Sequence, residues 1–210
     1  MTTWFTADLH LSHELVSKLR GFDTVTKHDR TLIRNYNELV KDGDEVYIVG
    51  DFCMWGTQSI GNMEALVKKL KGNKHLILGN HDKLKPFDYI EAGIISVHTS
   101  FVAEAFPNPI VLVHDPSVVT MNPRSRWACG HVHDLFKQIG TCLNVGVDVW
   151  DLKPVHENEV WLALRDAQPT ADQLKMKRLV VNRHDEVADG QEAQEGRDHL
   201  HDRGRSPLDG

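Results

Sequence analysis

The first half of the chain alternates between two periods of hydrophobic positions. Short apolar runs, typical of buried strands, occur in "TTWFTADLH", "EVYIVGD" and "KHLILGNHD". Between them, apolar residues recur at helical spacing over residues 32–40 and again over residues 60–70. We place the first of these helices after Thr26 as its cap and end it at Asp42-Gly43-Asp44. This order of strand, helix, strand, helix and strand predicts a parallel sheet covered by helices.

The second half of the chain has a different pattern. Short strand-like runs in "IISVHTSFVAEAF", "PIVLVHDP", "SRWACGHVHD" and "TCLNVGVDVW" are separated by Pro, Asn and Gly, which predicts a second sheet. The stretch "PVHENEVWLALRDA" predicts a late helix. From Arg183 the sequence is strongly polar, and this composition is typical of disorder. We therefore predict one α/β domain over residues 1–182 and a disordered tail over 183–210.

Polar residues with metal-binding side chains follow most of these predicted strands. Five segments share this feature: Asp8-Leu9-His10, Gly50-Asp51, Gly79-Asn80-His81-Asp82, His114, and Gly130-His131-Val132-His133. A Gly-Asn pair after a strand is by itself well explained as a tight turn. In parallel sheets, however, ligands bind beyond the carboxyl ends of the strands, where all five segments are expected to lie. Their carboxylate, amide and imidazole donors suit Mn²⁺, Fe or Zn²⁺.

Composition and charge exclude several classes of protein. With 40% hydrophobic and 26% charged residues in 210, the chain can bury one sizeable core. A net charge of −6 argues against stable binding of double-stranded nucleic acid through a basic face. No apolar run reaches the roughly 18 residues of a membrane span, and the first residues lack a signal-peptide pattern, so we expect no membrane association and a cytoplasmic location. Cys53, Cys129 and Cys142 have no C-x-x-C spacing and are expected to be small buried residues. The sequence does not indicate an oligomeric state.

The five segments, taken in order, resemble the motifs of the calcineurin-like metallophosphoesterase superfamily. That pattern is D-x-H, G-D, G-N-H-[DE], a histidine after a strand, and G-H-x-H, and all of its parts occur between about residues 4 and 150. The "LSH" and "GFD" that follow the first segment resemble small stand-alone bacterial and phage members. The resemblance implies an α/β fold in which a two-sheet β-sandwich is flanked by helices, with four layers in the order αββα.

The resemblance also implies two divalent metal ions. One ion would be bound by Asp8, His10 and His133, the other by Asn80, His114 and His131, and Asp51 would bridge them. We expect Mn²⁺, with Fe or Zn²⁺ as alternatives. A pair of ions about 3.5 to 4 Å apart can clamp a phosphate and lower the pKa of a bridging water, which then attacks phosphorus in line with the leaving oxygen.

Several further residues are candidates for roles in substrate binding or support. By resemblance, Asn80 and His81 contact substrate and His81 assists the leaving group, as a general acid or as a cation. We expect Gly79 to permit the sharp bend before them and Asp82 to orient a histidine. His13 is a candidate to reach the phosphate, although a surface histidine is the alternative.

Four residues near the later motifs are candidates for weaker reasons. Arg124 and Arg126 are candidates to bind a second phosphate or a ribose, although a solvated role is the alternative. Asn144 and Asp148 are candidates to brace the site, or else belong to an ordinary polar loop. The remaining histidines match no motif, and we assign structural roles to His28, His75, His98, His156 and His184.

The predicted function is metal-dependent hydrolysis of small phosphodiesters, including 2′,3′-cyclic nucleotides. The chain is too short for a large cap domain, and a basic groove for a processive nuclease is absent from the sequence. Phosphomonoester hydrolysis is the alternative enzymatic activity. An inactive, metal-dependent interaction scaffold is the alternative from another class, and the presence of His81 beside the complete ligand set argues against it.

Overall fold

A computed structural model describes residues 1–54, 59–104 and 108–180 of the chain. Within these described residues, ten strands form two sheets of five strands each. The strands are β1 Thr3–Thr6, β2 Glu45–Val49, β3 Asn73–Ile77, β4 Ser96–His98, β5 Phe101–Ala103, β6 Ile110–Leu112, β7 Arg126–Cys129, β8 Gln138–Ile139, β9 Cys142–Asn144 and β10 Val155–His156. The helices are α1 Glu14–Leu19, α2 Val25–Leu39, α3 Ile60–Val67, α4 Pro86–Glu91 and α5 Glu157–Leu164.

The first sheet has the strand order β10-β1-β2-β3-β4. Strands β1 to β4 are parallel, as the alternation of strands and helices predicted, and β10 pairs antiparallel with β1. The run "IISVH", which we assigned to the second sheet, instead contributes β4 to the first, with Ser96 opposite His75. A three-residue strand carries too little pattern to show which sheet it joins.

The predicted second sheet is confirmed, with the order β5-β6-β7-β9-β8. Its central strands β6, β7 and β9 are parallel, and the two edge strands β5 and β8 are antiparallel to their neighbours. As a result, the carboxyl ends of β6 and β7 lie at one edge of the sheet. Those ends lead directly into His114 and Gly130.

The predicted helices are present, with one correction at the start of α2. Thr24, and not Thr26, is its N-cap, because the Thr24 side chain accepts a hydrogen bond from the Lys27 amide. The helix ends at Leu39, where Val40 adopts an extended backbone. Helices α1 and α4 were not predicted, because their six residues each are too few for a repeating apolar pattern.

The layers follow the predicted order of helix, sheet, sheet and helix. Helices α2, α3 and α4 pack on the outer face of the first sheet through residues that include Tyr36, Met63 and Tyr89. The two sheets face each other across a core formed by Phe5, Ala7, Val49, Ile77, Ile110, Leu112, Ala128 and Leu143. Short 3₁₀ helices over Pro116–Met121 and Gln173–Lys175 lie at the outer side of the second sheet.

Two predictions about the chain as a whole have different outcomes. All three cysteines are buried, as predicted, and none of them forms a disulfide bond. The predicted tail, residues 183–210, lies outside the described residues. Within the described part of the chain, every helix is too short or too polar to cross a lipid bilayer.

Candidate metal centre

The five polar segments lie together at the carboxyl ends of the parallel strands. The Asp8 amide donates to the Gly50 carbonyl at 3.1 Å, and the His10 amide donates to the Asp51 carbonyl at 3.0 Å. In the second sheet, the Gly130 amide donates to the His114 carbonyl at 3.1 Å. These bonds extend the pairing of the strands into the loops. The predicted convergence of the segments is therefore present in the fold.

Five of the proposed ligands have a left-handed backbone, which non-glycine residues rarely adopt. The φ angles are 55° at Asp8, 45° at His10, 54° at Asp51, 75° at His131 and 47° at His133. Each such residue is strained by roughly 1 to 3 kcal/mol, and this strain persists only where the surrounding structure holds it. Its concentration at these strand ends is typical of a functional site.

Two glycines allow the loops to approach each other closely. A Cβ at Gly79 would lie 2.2 Å from Asp51 Oδ1, and one at Gly130 would lie 2.6 Å from the Ala7 Cβ. We expected Gly79 to permit a sharp bend, but its φ is not in the left-handed region. Gly79 is instead required because there is no space for a side chain against Asp51.

Three ligand atoms of one proposed group form a tight triangle. Asn80 Oδ1 lies 3.0 Å from His114 Nε2 and 2.8 Å from His131 Nδ1, and the two histidine nitrogens are 3.2 Å apart. Adjacent ligands around one ion at about 2.1 Å are separated by roughly 3 Å, so this spacing suits a bound cation. His114 Nδ1 donates to the Val49 carbonyl at 2.9 Å, which leaves Nε2 as the atom that can bind a metal.

Asp51 lies between the two proposed groups of ligands. Its Oδ2 is 3.3 Å from His114 Nε2 and 3.5 Å from His10 Nε2, while its Oδ1 accepts a hydrogen bond from the His81 amide at 2.8 Å. Burial alone would raise the pKa of Asp51, but the hydrogen bond with His114 and the charges of the nearby histidines hold it below its ordinary value. Asp51 is therefore ionised, as a bridging ligand must be.

The second proposed group consists of Asp8, His10 and His133. One ligand atom from each lies within 4.8 Å of the others. His10 is 1% exposed, and neither of its ring nitrogens makes a hydrogen bond. A buried imidazole without a partner is unfavourable, and a cation would satisfy it. Burial also holds the pKa of His10 well below its ordinary value, which favours the neutral form that binds metals. The residues therefore fit divalent cations.

His133 is oriented by a buried ion pair that the motifs do not include. Its Nδ1 lies 2.9 Å from Asp148 Oδ2, so the imidazole donates there and its Nε2 can bind a metal. The Arg20 guanidinium donates to both Asp148 oxygens at 2.7 Å through Nε and Nη2. Burial opposes ionisation of Asp148, but the hydrogen bonds from His133 and Arg20 hold its pKa below the ordinary value. Asp148 thus braces the site, as one of our two alternatives proposed.

Arg20 also holds the backbone of the first ligand segment. Its Nη2 donates to the Asp8 carbonyl at 2.7 Å and its Nη1 to the Leu9 carbonyl at 3.3 Å. Nη1 is also 3.0 Å from His28 Nε2, and His28 Nδ1 is 2.9 Å from Asp29 Oδ1. Arg20 was not predicted from the sequence, where its only signal is its position immediately before "GFD". His28, which we assigned a structural role, belongs to this support of the site.

His13 and His81 lie against His10. The ring centroid of His10 is 5.3 Å from that of His13 and 5.1 Å from that of His81. His13 Nδ1 caps helix α1 by accepting from the Val16 amide at 3.4 Å, so its other nitrogen is available to the site. Burial, and then the nearby His81, lower the pKa of His13 to about 4. The structure therefore brings both candidates to the cleft.

Asp82 has a different role from the one we predicted. Its carboxylate accepts hydrogen bonds from the amides of Gly79 at 2.8 Å, Asp51 at 2.9 Å and Phe52 at 3.1 Å. These bonds involve both carboxylate oxygens, so Asp82 orients the backbone of two ligand loops rather than a histidine ring. Burial, and then the charge of Asp51, raise the pKa of Asp82 to about 6.

The structure separates Arg124 and Arg126 from the cleft. Arg124 is exposed before the first residue of β7, whereas His131 follows the last, so the whole strand lies between them. Arg126 donates to the carbonyls of Leu164 at 2.8 Å and Arg165 at 2.7 Å, at the end of α5. The substrate contact of Arg124 therefore stays a prediction, and its position before β7 does not add support to it.

The remaining candidates have supporting roles. Asn144 donates to the His133 carbonyl at 2.7 Å and to the Phe136 carbonyl at 2.9 Å, which holds the loop that carries His133. Three of the unassigned histidines make contacts away from the ligands: His75 with Glu45, His98 with Ser96, and His156 as the N-cap of α5. His184 lies outside the described residues.

Comparison with known proteins agrees with this arrangement. The family model described as calcineurin-like phosphoesterase matches residues 1–201, and the chain therefore belongs to this family. The family is metal-dependent, and membership in it supports a hydrolase that acts on phosphoester bonds.

Three individual proteins illustrate the similarity. Gene 66 protein of Mycobacterium phage L5 is 39% identical to this chain over 89 residues. The match covers 41% of this chain and 42% of the phage protein, which is less than half of that relative. An uncharacterized protein of Methanocaldococcus jannaschii is 31% identical over 160 residues, or 71% of this chain and 83% of that protein. A protein of unknown function from Aquifex aeolicus has the same fold, with a TM-score of 0.61, 22% identity, and coverage of 77% of this chain and 98% of that one.

Proposed function

We propose that this protein is a two-metal phosphodiesterase that hydrolyses small phosphodiesters, 2′,3′-cyclic nucleotides among them. The observation that carries the proposal is the position of Asp51 Oδ2 between His10 Nε2, at 3.5 Å, and His114 Nε2, at 3.3 Å. One carboxylate oxygen that faces both ligand groups is suited to bridge two cations. Mn²⁺ is the proposed metal, because the donors are carboxylate, amide and imidazole groups without a thiolate.

The protein side chains would have distinct tasks. When bound, the metals would supply positive charge for the phosphate and activate a water molecule for attack. Asp8, His10 and His133 would hold one ion, while Asn80, His114 and His131 would hold the other, with Asp51 shared. His81, whose ring lies beside His10, would protonate the leaving oxygen or stabilise its charge.

The distribution of positive charge favours a diester over a monoester. Arg20 lies near the ligands, but its guanidinium is buried beneath them and bonded to Asp148 and to the Asp8 carbonyl. It therefore has no orientation in which to meet a phosphate in the cleft. The metals and His81 would have to neutralise the substrate without Arg20, which is easier for the single charge of a diester than for the double charge of a monoester.

A chelation experiment tests this proposal. Protein stripped of metal, with its metal content verified by elemental analysis, is assayed with bis(p-nitrophenyl) phosphate and with p-nitrophenyl phosphate, before and after addition of Mn²⁺, Fe²⁺ or Zn²⁺. We expect no turnover of either compound without metal, and faster turnover of the diester with Mn²⁺. Undiminished turnover by metal-free protein would refute the metal-dependent mechanism, and faster turnover of the monoester would overturn the substrate class.

A further inference from the structure

A pocket of about 600 Å³ lies directly beside the histidine ligands. Asn80, His114 and His131 form part of its wall, so the pocket and one of the two proposed metal-binding groups share a boundary. Its volume falls within the range of small-molecule sites, roughly 300 to 1,000 Å³. A group attached to a phosphate at the metal centre could therefore extend into it without leaving the protein surface.

The remaining walls of the pocket are largely apolar and come from both sheets. Leu78 follows β3 of the first sheet, whereas the indole of Trp127 belongs to β7 of the second. Val111, Val113 and Val118 complete the apolar surface. Trp127 is held in place, because its Nε1 donates to the Asn122 carbonyl at 3.0 Å. These walls can contact the faces of a flat ring.

Apart from the proposed metal ligands, the polar groups of the pocket are not suited to hold a phosphate. Among the described residues that line it, none is a lysine or an arginine, and Asp115 contributes a carboxylate. Asp115 Oδ1 accepts from the Ser117 amide at 2.7 Å, which fixes the side chain. Thr99 and Ser100 add hydroxyl groups. Such a lining repels an anion but offers acceptors and donors to the edge of a neutral heterocycle.

We propose that this pocket binds the nucleobase of a nucleoside phosphate ester whose phosphate occupies the metal centre. The inference rests on the proposed function, since it assigns the part of the substrate that the metal ligands do not contact. A nucleobase combines apolar faces with a polar edge, and these are the two kinds of surface that the pocket presents.

The test compares ligands that differ only by the base. The full chain, loaded with Mn²⁺, is titrated calorimetrically with adenosine 5′-monophosphate and with ribose 5-phosphate. We expect the nucleotide to bind at least about tenfold more tightly, which corresponds to about 1.4 kcal/mol. Equal affinities would overturn the pocket assignment. If the two affinities are equal but the protein still binds ribose 5-phosphate and hydrolyses the diester, only the pocket assignment is refuted. If the protein neither binds ribose 5-phosphate nor hydrolyses the diester, the proposed function itself is refuted.

Substitutions in the pocket test its location. Val118→Asp adds a charge to an apolar wall, and we expect the ratio of the two affinities to fall to within about twofold of one. Leu162→Asp is the matched control, because Leu162 is 58% exposed on α5 and does not line the pocket; it should keep the wild-type ratio. If Val118→Asp does not fold, Ser100→Trp fills the pocket from an exposed turn and should have the same effect. An unchanged ratio in the folded variant would refute the assignment.

Discussion

Replacement of Arg20 by alanine is expected to lower the free energy of unfolding by about 3 to 5 kcal/mol, the usual effect of breaking a buried ion pair. The Arg20 and Asp148 side chains are only 6% and 10% exposed, and two of the bonds between them are 2.7 Å long. The substitution would leave the Asp148 carboxylate buried without its cation. The carbonyls of Asp8 and Leu9 would also lose their donors.

This loss of stability can be measured as a shift in melting temperature. For a domain of this size, 1 kcal/mol corresponds to roughly 2 to 4 °C, so we expect the midpoint to fall by about 6 to 20 °C. Arg165→Ala is the matched control, because Arg165 and Asp166 form an ion pair whose side chains are 50% and 82% exposed. Such an exposed pair contributes about 0 to 1 kcal/mol. If burial determines how much an ion pair stabilises the protein, the melting temperatures of the two variants, measured by circular dichroism, should differ strongly.

The same substitution should weaken metal binding. Asp148 fixes the orientation of His133, and Arg20 fixes both Asp148 and the backbone of Asp8. Loss of groups that orient ligands typically reduces metal affinity by about 10- to 100-fold. Mn²⁺ titration by calorimetry, at a temperature where the variant is folded, measures this directly. Arg20→Lys keeps the charge but not the forked geometry, so its affinity should lie between those of the wild type and the alanine variant.

Both roles of Arg20 would be refuted if Arg20→Ala melts close to the Arg165→Ala control and binds Mn²⁺ as the wild type does. That pair of results would mean that the ion pair contributes no more than an exposed one. A large loss of stability with unchanged Mn²⁺ affinity would refute the positioning role alone.

Three further predictions concern the ligand loops. Asp51→Asn should lose Mn²⁺ binding more severely than His114→Ala, because one carboxylate faces both ligand groups, and near-native binding of two ions by Asp51→Asn would refute the bridging role. His81→Ala should retain its metal content by elemental analysis while diester turnover falls by about 100-fold or more, and loss of an ion would identify His81 as a ligand instead. Gly79→Ala should abolish turnover, because the added Cβ would lie 2.2 Å from Asp51 Oδ1. Gly61→Ala is the control: its Cβ would have nothing within 4 Å, so the variant should keep its activity and melt at a slightly higher temperature. Equal activities of the two variants would contradict this account.

Much of the fold was predictable because its signals are local. The apolar runs that end in Gly50-Asp51 and Gly79-Asn80 identify buried strands, and their order with two helical stripes predicts a parallel sheet. Parallel strands bring their carboxyl ends to one edge of a sheet, so the convergence of the five polar segments could be predicted from the strand pattern alone. The family motifs identified the same residues. Short helices such as α1 could not be predicted, because six residues are too few to show a periodic apolar pattern.

What the sequence by itself determined is the set of candidate ligands and the class of chemistry, because each depends on residue type and on position within one strand or loop. Only the tertiary structure decided which distant residues support the ligands. Arg20 and Asp148 are 128 residues apart, and their contact depends on the packing of helix α1 against the loop after β9. Likewise, Arg124 lies close to His131 in sequence but at the opposite end of β7, and the apolar pocket exists only where residues of the two sheets meet. Contacts of this kind depend on strand order and loop geometry, which local patterns of hydrophobicity do not encode.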